Sequence, residues 1–336
     1  MKPLPLLPSD AARPGWLRAP APGIERTGAV RGRLQQLPTV CEEARCPNQG
    51  DCWSEGTATF LLMGDVCTRG CRFCAVTSGH PGPLDDDEPA RLLDAVVALG
   101  LTDVVLTSVD RDDLDDGGAA HLARCIQALT LRGLRVELLS PDFGGNLDAV
   151  TRVIDAGLDV FAHNVETVRR LSSSVRDRRA DFEQSLAVLG AAHRLRPEVL
   201  TKSGLMLGIG EDDDEVLDAL IDLREVGTDI VTLGQYLRPS RRHLPVVRYV
   251  DPDTFASLGD DARTLGFAVA SGPLVRSSYR AAALSQAARW ARQGDAMSSR
   301  SSARKMSSER RNGDSSLGRA ASRSPTWTKP VPVSVR

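Results

Sequence analysis

Cys67-Thr68-Arg69-Gly70-Cys71-Arg72-Phe73-Cys74 sets three cysteines at C-x3-C-x2-C spacing, directly behind an apolar run that reads as a strand. Thiols this close, in a chain with no disulfide pattern, are most economically ligands of one metal centre. A structural zinc wants four protein ligands, and the nearest fourth donor is His80. Three cysteines alone suit a cubane [4Fe-4S] cluster, whose remaining iron stays open to a small molecule. Spacing by itself leaves both open.

Outward from this loop the chain alternates. The run over 58–63 (ATFLLM) is a short strand, and the cysteine loop leaves its C-terminal end. Leu92, Leu93, Val96 and Val97 predict one helical face, Gly100 a stop, and residues 103–107 the next strand. The unit recurs: helix to Gly133 and strand 136–139, helix 147–157 and strand 160–162, helix 182–195 and strand 199–206, helix 216–227 and strand 230–233. Strand, loop and helix repeated about six times predict a parallel sheet, open or curled into a partial barrel. Ligands of such sheets gather beyond the C-terminal strand ends. The polar loops fall there: Ser108 to Asp113, Ser140 to Phe143, His163 to Glu166, Gly208 to Glu211 and Gly234 to Tyr236. Any one of them is an ordinary solvated loop; five at equivalent positions point to a site.

The 336 residues fit one large α/β barrel or two domains. A formal net charge of -2 gives no sign of a nucleic-acid or membrane binder. No apolar run reaches membrane-span length, and the proline-broken opening is no signal-peptide core, so the expected compartment is the reducing cytoplasm. Residues 1–38 read as an arm with Trp16-Leu17 as its anchor. Residues 295–336 are dense in Ser and Arg and are expected to be disordered. Without that basic tail, residues 1–294 hold 33 Lys/Arg against 41 Asp/Glu.

A second triplet, Cys41, Cys46 and Cys52, is spaced C-x4-C-x5-C around a Pro47-Asn48-Gln49-Gly50 turn. A zinc knuckle completed by a distant residue is the alternative to a cluster here. Cys125, on a predicted helix, reads as a packed core thiol. The stretch Leu205 to Gly210 lacks the lysine of a phosphate-binding loop. Gly272 to Ala281 reads as an exposed turn into a helix, and nothing physical in it marks a metal site.

The C-x3-C-x2-C loop, with Phe73 before its last cysteine, resembles the signature of radical S-adenosylmethionine (SAM) enzymes. With Cys-Glu-Glu-Ala-Arg-Cys-Pro-Asn at 41–48, Thr-Ser-Val-Asp-Arg-Asp-Asp-Leu at 107–114, His-Asn-Val-Glu-Thr-Val at 163–168, Lys-Ser-Gly-Leu-Met at 202–206, Gly-Gln-Tyr-Leu at 234–237 and Arg-Ser-Ser-Tyr at 276–279, the chain resembles the lipoyl synthase family from about Trp16 to Ala281. The resemblance implies an α/β fold, a partial (β/α)6 TIM-like barrel over residues 57–294, with an N-terminal cluster-binding extension over 1–56 and a tail over 295–336. It implies that Cys67, Cys71 and Cys74 hold the cluster that cleaves SAM to a 5′-deoxyadenosyl radical. It further implies that Cys41, Cys46, Cys52 and a serine of Arg276-Ser277-Ser278-Tyr279, Ser278 being favoured, hold an auxiliary [4Fe-4S] cluster sacrificed as the sulfur source. Phe73, Asn164, Glu166 and the Asp110 to Asp113 loop are the expected SAM contacts. The implied partners are octanoylated lipoyl carrier domains, namely the glycine cleavage H protein and the E2 subunits of 2-oxoacid dehydrogenases, with a low-potential electron donor and cluster-assembly proteins. A methylthiotransferase, which also pairs a leading triplet with the radical motif, would want an added RNA-binding domain.

Overall fold

The structure, a computed structural model, describes residues 13–18, 39–40 and 59–294. Residues 1–291 cluster as one compact unit; of the second, 292–336, the described residues 292–294 are helical. The triplet Cys41, Cys46 and Cys52 and the Ser/Arg-rich stretch lie outside the described residues.

The strands are β1 (Thr59–Leu62), β2 (Val66–Cys67), β3 (Thr77–Ser78), β4 (Asp103–Ser108), β5 (Arg135–Leu139), β6 (Val160–Ala162), β7 (Leu200–Leu207), β8 (Ile230–Gln235) and β9 (Ala268–Gly272). Seven of them form one parallel sheet in the order the chain visits them, β1-β4-β5-β6-β7-β8-β9, while β2 and β3 pair separately. Parallel neighbours need a crossover. The helices that supply it are α1 (Glu88–Leu99), α2 (Ala119–Thr130), α3 (Leu147–Ile154), the short α4 (Ser172–Val175) with α5 (Phe182–Leu195), α6 (Asp213–Glu225) and α7 (Pro252–Thr264). Six strand-helix units therefore stand as the sequence predicts, followed by a further strand. That strand, β9, was unexpected because its residues Ala268 to Gly272 are mostly small; the open edge of β8 templates it, pairing Ile230 with Ala268 through Gly234 with Gly272.

Local chemistry sets the helix ends. Asn146 accepts the Asp148 and Ala149 N–H groups at the start of α3, and Asp212 with Glu215 makes a reciprocal capping box at α6. Gly100 ends α1 at φ 67°, the left-handed conformation a glycine adopts without steric cost. Val97 departs from the expected α1 face: Leu92 and Val96 are buried, whereas Val97 is 61% exposed.

Each strand has two faces with different partners. Val104, Leu106, Leu138, Phe161, Leu205 and Leu233 join Leu122, Ile126, Val188 and Leu220 of the helices in the main core. The opposite face carries Val160, Leu200 and Ile230, which pack on Leu284 and Ala288 of the final helix. On this inner face Lys202 Nζ of β7 reaches Glu137 Oε1 of β5 at 2.6 Å, across the intervening β6. Three strand spacings separate β6 from β9, about 14 Å in a flat sheet. Asn164, two residues past β6, and Ser277, five residues past β9, are hydrogen-bonded at 2.7 Å across the C-terminal mouth of this incomplete barrel. Near the N-terminus, Leu17 is buried while Trp16 is 44% exposed, so the leucine is the anchor of that short stretch.

Candidate active site

The cysteine loop springs from the paired β2 and β3, whose Gly79 N–H closes on Cys67 O at 2.9 Å. From there it lies over the C-terminal ends of β4, β5 and β6, and each of those loops grips it. Arg69, whose side chain is only 3% exposed, forks onto Asp142 from the β5 loop at 2.8 Å and onto Asp112 from the β4 loop at 2.7 Å, with Asp110 at 3.4 Å. One guanidinium cannot balance three carboxylates in a buried place. Burial favours the protonated Asp142, but the two hydrogen bonds from Arg69 outweigh it and bring its pKa to about 2. Asp110 goes the other way, pushed up to about 6 by burial against the pull of Arg69 and by the charges of Asp142 and Asp112.

The segment after β6 holds the other side. Asp177 Oδ2 accepts the Gly70 N–H at 2.8 Å, Arg179 donates to Thr68 O at 2.6 Å, and the Arg72 N–H donates to Val175 O at 2.9 Å. Backbone N–H groups aim at all three sulfurs: those of Arg69 and Asp110 at Cys67 Sγ, at 3.4 and 3.3 Å, that of Asp177 at Cys71 Sγ, at 3.3 Å, and that of Val76 at Cys74. All three loop cysteines are half-buried and unbridged. Burial foremost pushes the Cys71 thiol up to about 12 and the Cys74 thiol to about 11.

Beside the loop opens a cleft of about 570 Å³, lined among others by Phe73, Cys74, Asn164, Glu166, Met206, Arg276 and Ser277. Two glycines make it possible. A Cβ on Gly234 would stand 2.2 Å from Val275 O, and one on Gly204 2.9 Å from Asn164 Oδ1, so only bare backbone lets the 275–277 segment and Asn164 close on the strand ends. Asn164 donates its amide to Ser277 Oγ at 2.7 Å and to Glu166 Oε1 at 3.2 Å. Glu166 sits at φ 67°, unusual for a residue with a Cβ, and a bridge to β7 holds it there: its N–H donates to Gly204 O and its carbonyl accepts from Met206. Burial raises the pKa of its carboxyl, against the opposing charge of Arg176 and the Asn164 hydrogen bond.

The expected SAM contacts Phe73, Asn164 and Glu166 thus meet in one cleft with Cys74. The Asp110 to Asp113 loop does not line it: Asp110 and Asp112 face Arg69, and Asp113 pairs with Arg111 at 2.8 Å. In the Arg-Ser-Ser-Tyr stretch Ser277 lines the cleft and Ser278 does not, and the triplet toward which Ser278 was expected to turn lies outside the described residues. Sequence reasoning passed over Ser277, Asp177 and Arg179. Only Ser277 carried any signal, its place in that stretch.

The donor set fits a cluster better than a single ion. Zinc-bound thiolates sit about 2.3 Å from the metal, hence within about 4 Å of one another. Among the described residues the one group of three His, Cys, Asp or Glu ligand atoms within 4.8 Å of one another is Glu88, His121 and Cys125, not the loop cysteines. His80, the candidate fourth zinc ligand, is exposed. The buried Glu88 group is accounted for internally: Glu88 accepts the Met63 N–H and the His121 ring at 2.5 Å, and Cys125 is a core thiol with no exposure.

Comparison with known proteins agrees with this geometry. The Radical SAM superfamily profile matches residues 61–223. The crystal structure of HydG, a maturase of the [FeFe]-hydrogenase, superposes with a TM-score of 0.50 at 13% identity, over 75% of this chain and 56% of that one, a likeness of fold alone. Fold and profile together define a radical SAM enzyme. Lipoyl synthases from Halorhodospira halophila and Anaeromyxobacter dehalogenans are each 58% identical, covering 80% and 82% of this chain and 82% and 95% of their own. The Thermus thermophilus lipoyl synthase is 53% identical over 82% of this chain and 87% of its own. The chain belongs to the lipoyl synthase family.

Proposed function

We propose that this chain inserts two sulfur atoms, at C6 and C8 of an octanoyl group in amide linkage to a lysine of a carrier protein, giving lipoyl-lysine. Cys67, Cys71 and Cys74 would hold one [4Fe-4S] cluster, and Cys41, Cys46 and Cys52 with Ser278 an auxiliary one. Bound there, the first cluster with SAM supplies a radical able to take hydrogen from an unactivated C–H bond, and the second supplies sulfur. The observation that carries this reading is the shared cleft: Cys74 and Phe73 open onto the same space as Asn164, Glu166 and Ser277.

The chain's own residues bind, orient and shield. With both amide hydrogens of Asn164 given to Ser277 and Glu166, its carbonyl oxygen and the Glu166 carboxylate are the acceptors offered to the polar end of SAM. Phe73, Met206 and Leu237 give the cleft an apolar wall, which keeps water from a reactive carbon centre. Arg69, Asp177 and Arg179 fix the cysteine loop from both sides, so that three sulfurs are presented without rearrangement.

The glycine cleavage H protein and the E2 subunits of 2-oxoacid dehydrogenases are the proposed carriers. A low-potential reductant and cluster-assembly proteins are the proposed helpers, and the cytoplasm the proposed compartment. Among the described residues no helix is long and apolar enough to cross a membrane.

The test is anaerobic incubation of the reconstituted protein with dithionite, SAM and an octanoyl-lysine peptide, with product mass as readout. Expected are iron for two clusters per chain and a product carrying two added sulfurs. Cys41→Ala should still form 5′-deoxyadenosine but transfer no sulfur, and Cys71→Ala should do neither. A wild-type product without sulfur from the protein overturns the proposal.

A further inference from the structure

We propose that Arg72, Arg238, Arg241 and Arg242 form a basic rim that docks a carboxylate-rich face of the carrier protein around its octanoyl-lysine; this rests on the sulfur-insertion reading above. The rim is assembled by contact between two loops. Arg238 lines the cleft with Phe73 and Cys74, and its guanidinium donates to His243 O at 2.9 Å and to Arg241 O. His243 Nε2 donates in turn to Cys74 O at 2.9 Å, and the Leu244 N–H to Arg72 O at 3.0 Å. The loop over 238–244 therefore lies against the cysteine loop, with Arg238 in the lining of the cleft, the exposed Arg241 and Arg242 on the same loop, and Arg72 on the loop it touches.

Their charges are left open. Among the described residues none of the four has a carboxylate partner, and Arg72, Arg241 and Arg242 are exposed. Several other exposed arginines are paired, as in Arg135 with Asp103, Arg170 with Glu215 and Arg263 with Asp260, while Arg132, Arg178 and Arg194 have no ion pair among the described residues, so it is the grouping on two touching loops that sets these four apart. Unpaired guanidiniums at the edge of a low-dielectric cleft focus a positive field and speed the encounter with an acidic partner. An octanoyl chain that enters this cleft on a lysine draws the carrier's own surface down onto the rim. There each guanidinium can fork onto a carboxylate.

The experiment compares the full-length, cluster-reconstituted protein with its R241E/R242E variant, both residues lying outside the catalytic cleft. The probes are octanoylated glycine cleavage H protein and a short octanoyl-lysine peptide, read by titration calorimetry and single-turnover product formation. Charge reversal should weaken carrier binding by about tenfold or more and flatten its salt dependence. The carrier concentration giving half the maximal single-turnover rate should rise with that maximal rate kept, the peptide constants should not move, and R241K/R242K should restore most of the affinity. Unchanged carrier affinity overturns the rim, as does an equal loss for carrier and peptide. It is also overturned if the variant loses only the binding of poly(U), which would make the rim a nucleic-acid surface. If the wild type yields no sulfur-bearing product from either substrate, the sulfur-insertion reading fails, while the carrier binding constants still judge the rim.

Discussion

Asn164 donates its side-chain amide to the Ser277 hydroxyl at 2.7 Å, tying the loop after β6 to a segment 113 residues later. This bond engages Ser277 at the wall of the cleft, whereas Ser278, the serine proposed for the auxiliary cluster, does not line it.

The two serines should therefore part company on substitution. Ser277→Ala removes a hydrogen bond of about 1 kcal/mol and should weaken SAM binding about fivefold, with the iron content unchanged. Ser278→Ala should instead lower the iron held by the auxiliary site and abolish sulfur transfer. Iron analysis beside equilibrium dialysis of SAM separates them, and the reverse pattern would make Ser277 the ligand.

Arg69 is a structural keystone of the cysteine loop. Removing it leaves Asp142, whose side chain has no exposure, without its counter-ion. Arg69→Ala should cost about 3–5 kcal/mol, seen as a lower melting temperature and poor cluster uptake. Arg69→Lys should recover little, because a single ammonium cannot fork onto Asp112 and Asp142 together. A melting temperature within a degree or two of wild type would argue against this role.

His163 makes the fold sensitive to acid. Its Nδ1 donates to Ser140 O at 2.9 Å and its Nε2 meets Ser185 Oγ at 2.9 Å, so both nitrogens are engaged by the neutral ring. Burial, then the charge of Arg176, lowers its pKa from 6.5 to about 4, with Asp142 opposing and Arg69 adding to the shift. Since the unfolded chain takes up this proton first, the contribution to stability is whole above about pH 6.5 and drains away as pH falls toward 4. The loss is on the order of 3 kcal/mol. His163→Gln, which keeps a donor for Ser140, should flatten denaturant-measured stability between those pH values; an unaltered acid profile would count against the ring.

The inner pair of Lys202 and Glu137 offers a double-mutant test. Lys202→Met strands a buried carboxylate and should destabilise by about 3–5 kcal/mol, whereas Glu137→Met with Lys202→Met should return most of it. Urea unfolding of the single and double variants measures the coupling, and additive losses would mean that the two charges act separately.

The repeating helix signals of residues 88–264 were plain because an apolar stripe recurs in each unit and a closing glycine in all but the 182–195 one, and the order of strands follows from crossover geometry. Strand β9 was hidden: Ala268, Ala270 and Gly272 gain their conformation from the edge of β8, which no local pattern announces. At the site, the spacing of Cys67, Cys71 and Cys74 announced itself, and Asn164 and Glu166 could be placed because they follow a strand. Asp110 and Asp112 follow a strand in the same way, yet their carboxylates face Arg69 and do not line the cleft. A polar loop in the right place reads alike whether it faces a ligand or, as here, a buried arginine. The grip of Asp177 on Gly70 spans 107 positions and has no signature along the chain.

The final helix seats Leu284 and Ala288 beneath Val160, Leu200 and Ile230, and Ser277 stands just ahead of it. Because the ribosome delivers residues in order, a nascent chain displays the cysteine loop some two hundred residues before it can furnish the partner of Asn164. The wall of the cleft that Ser277 supplies is thus added only after every other strand end that borders it has been made.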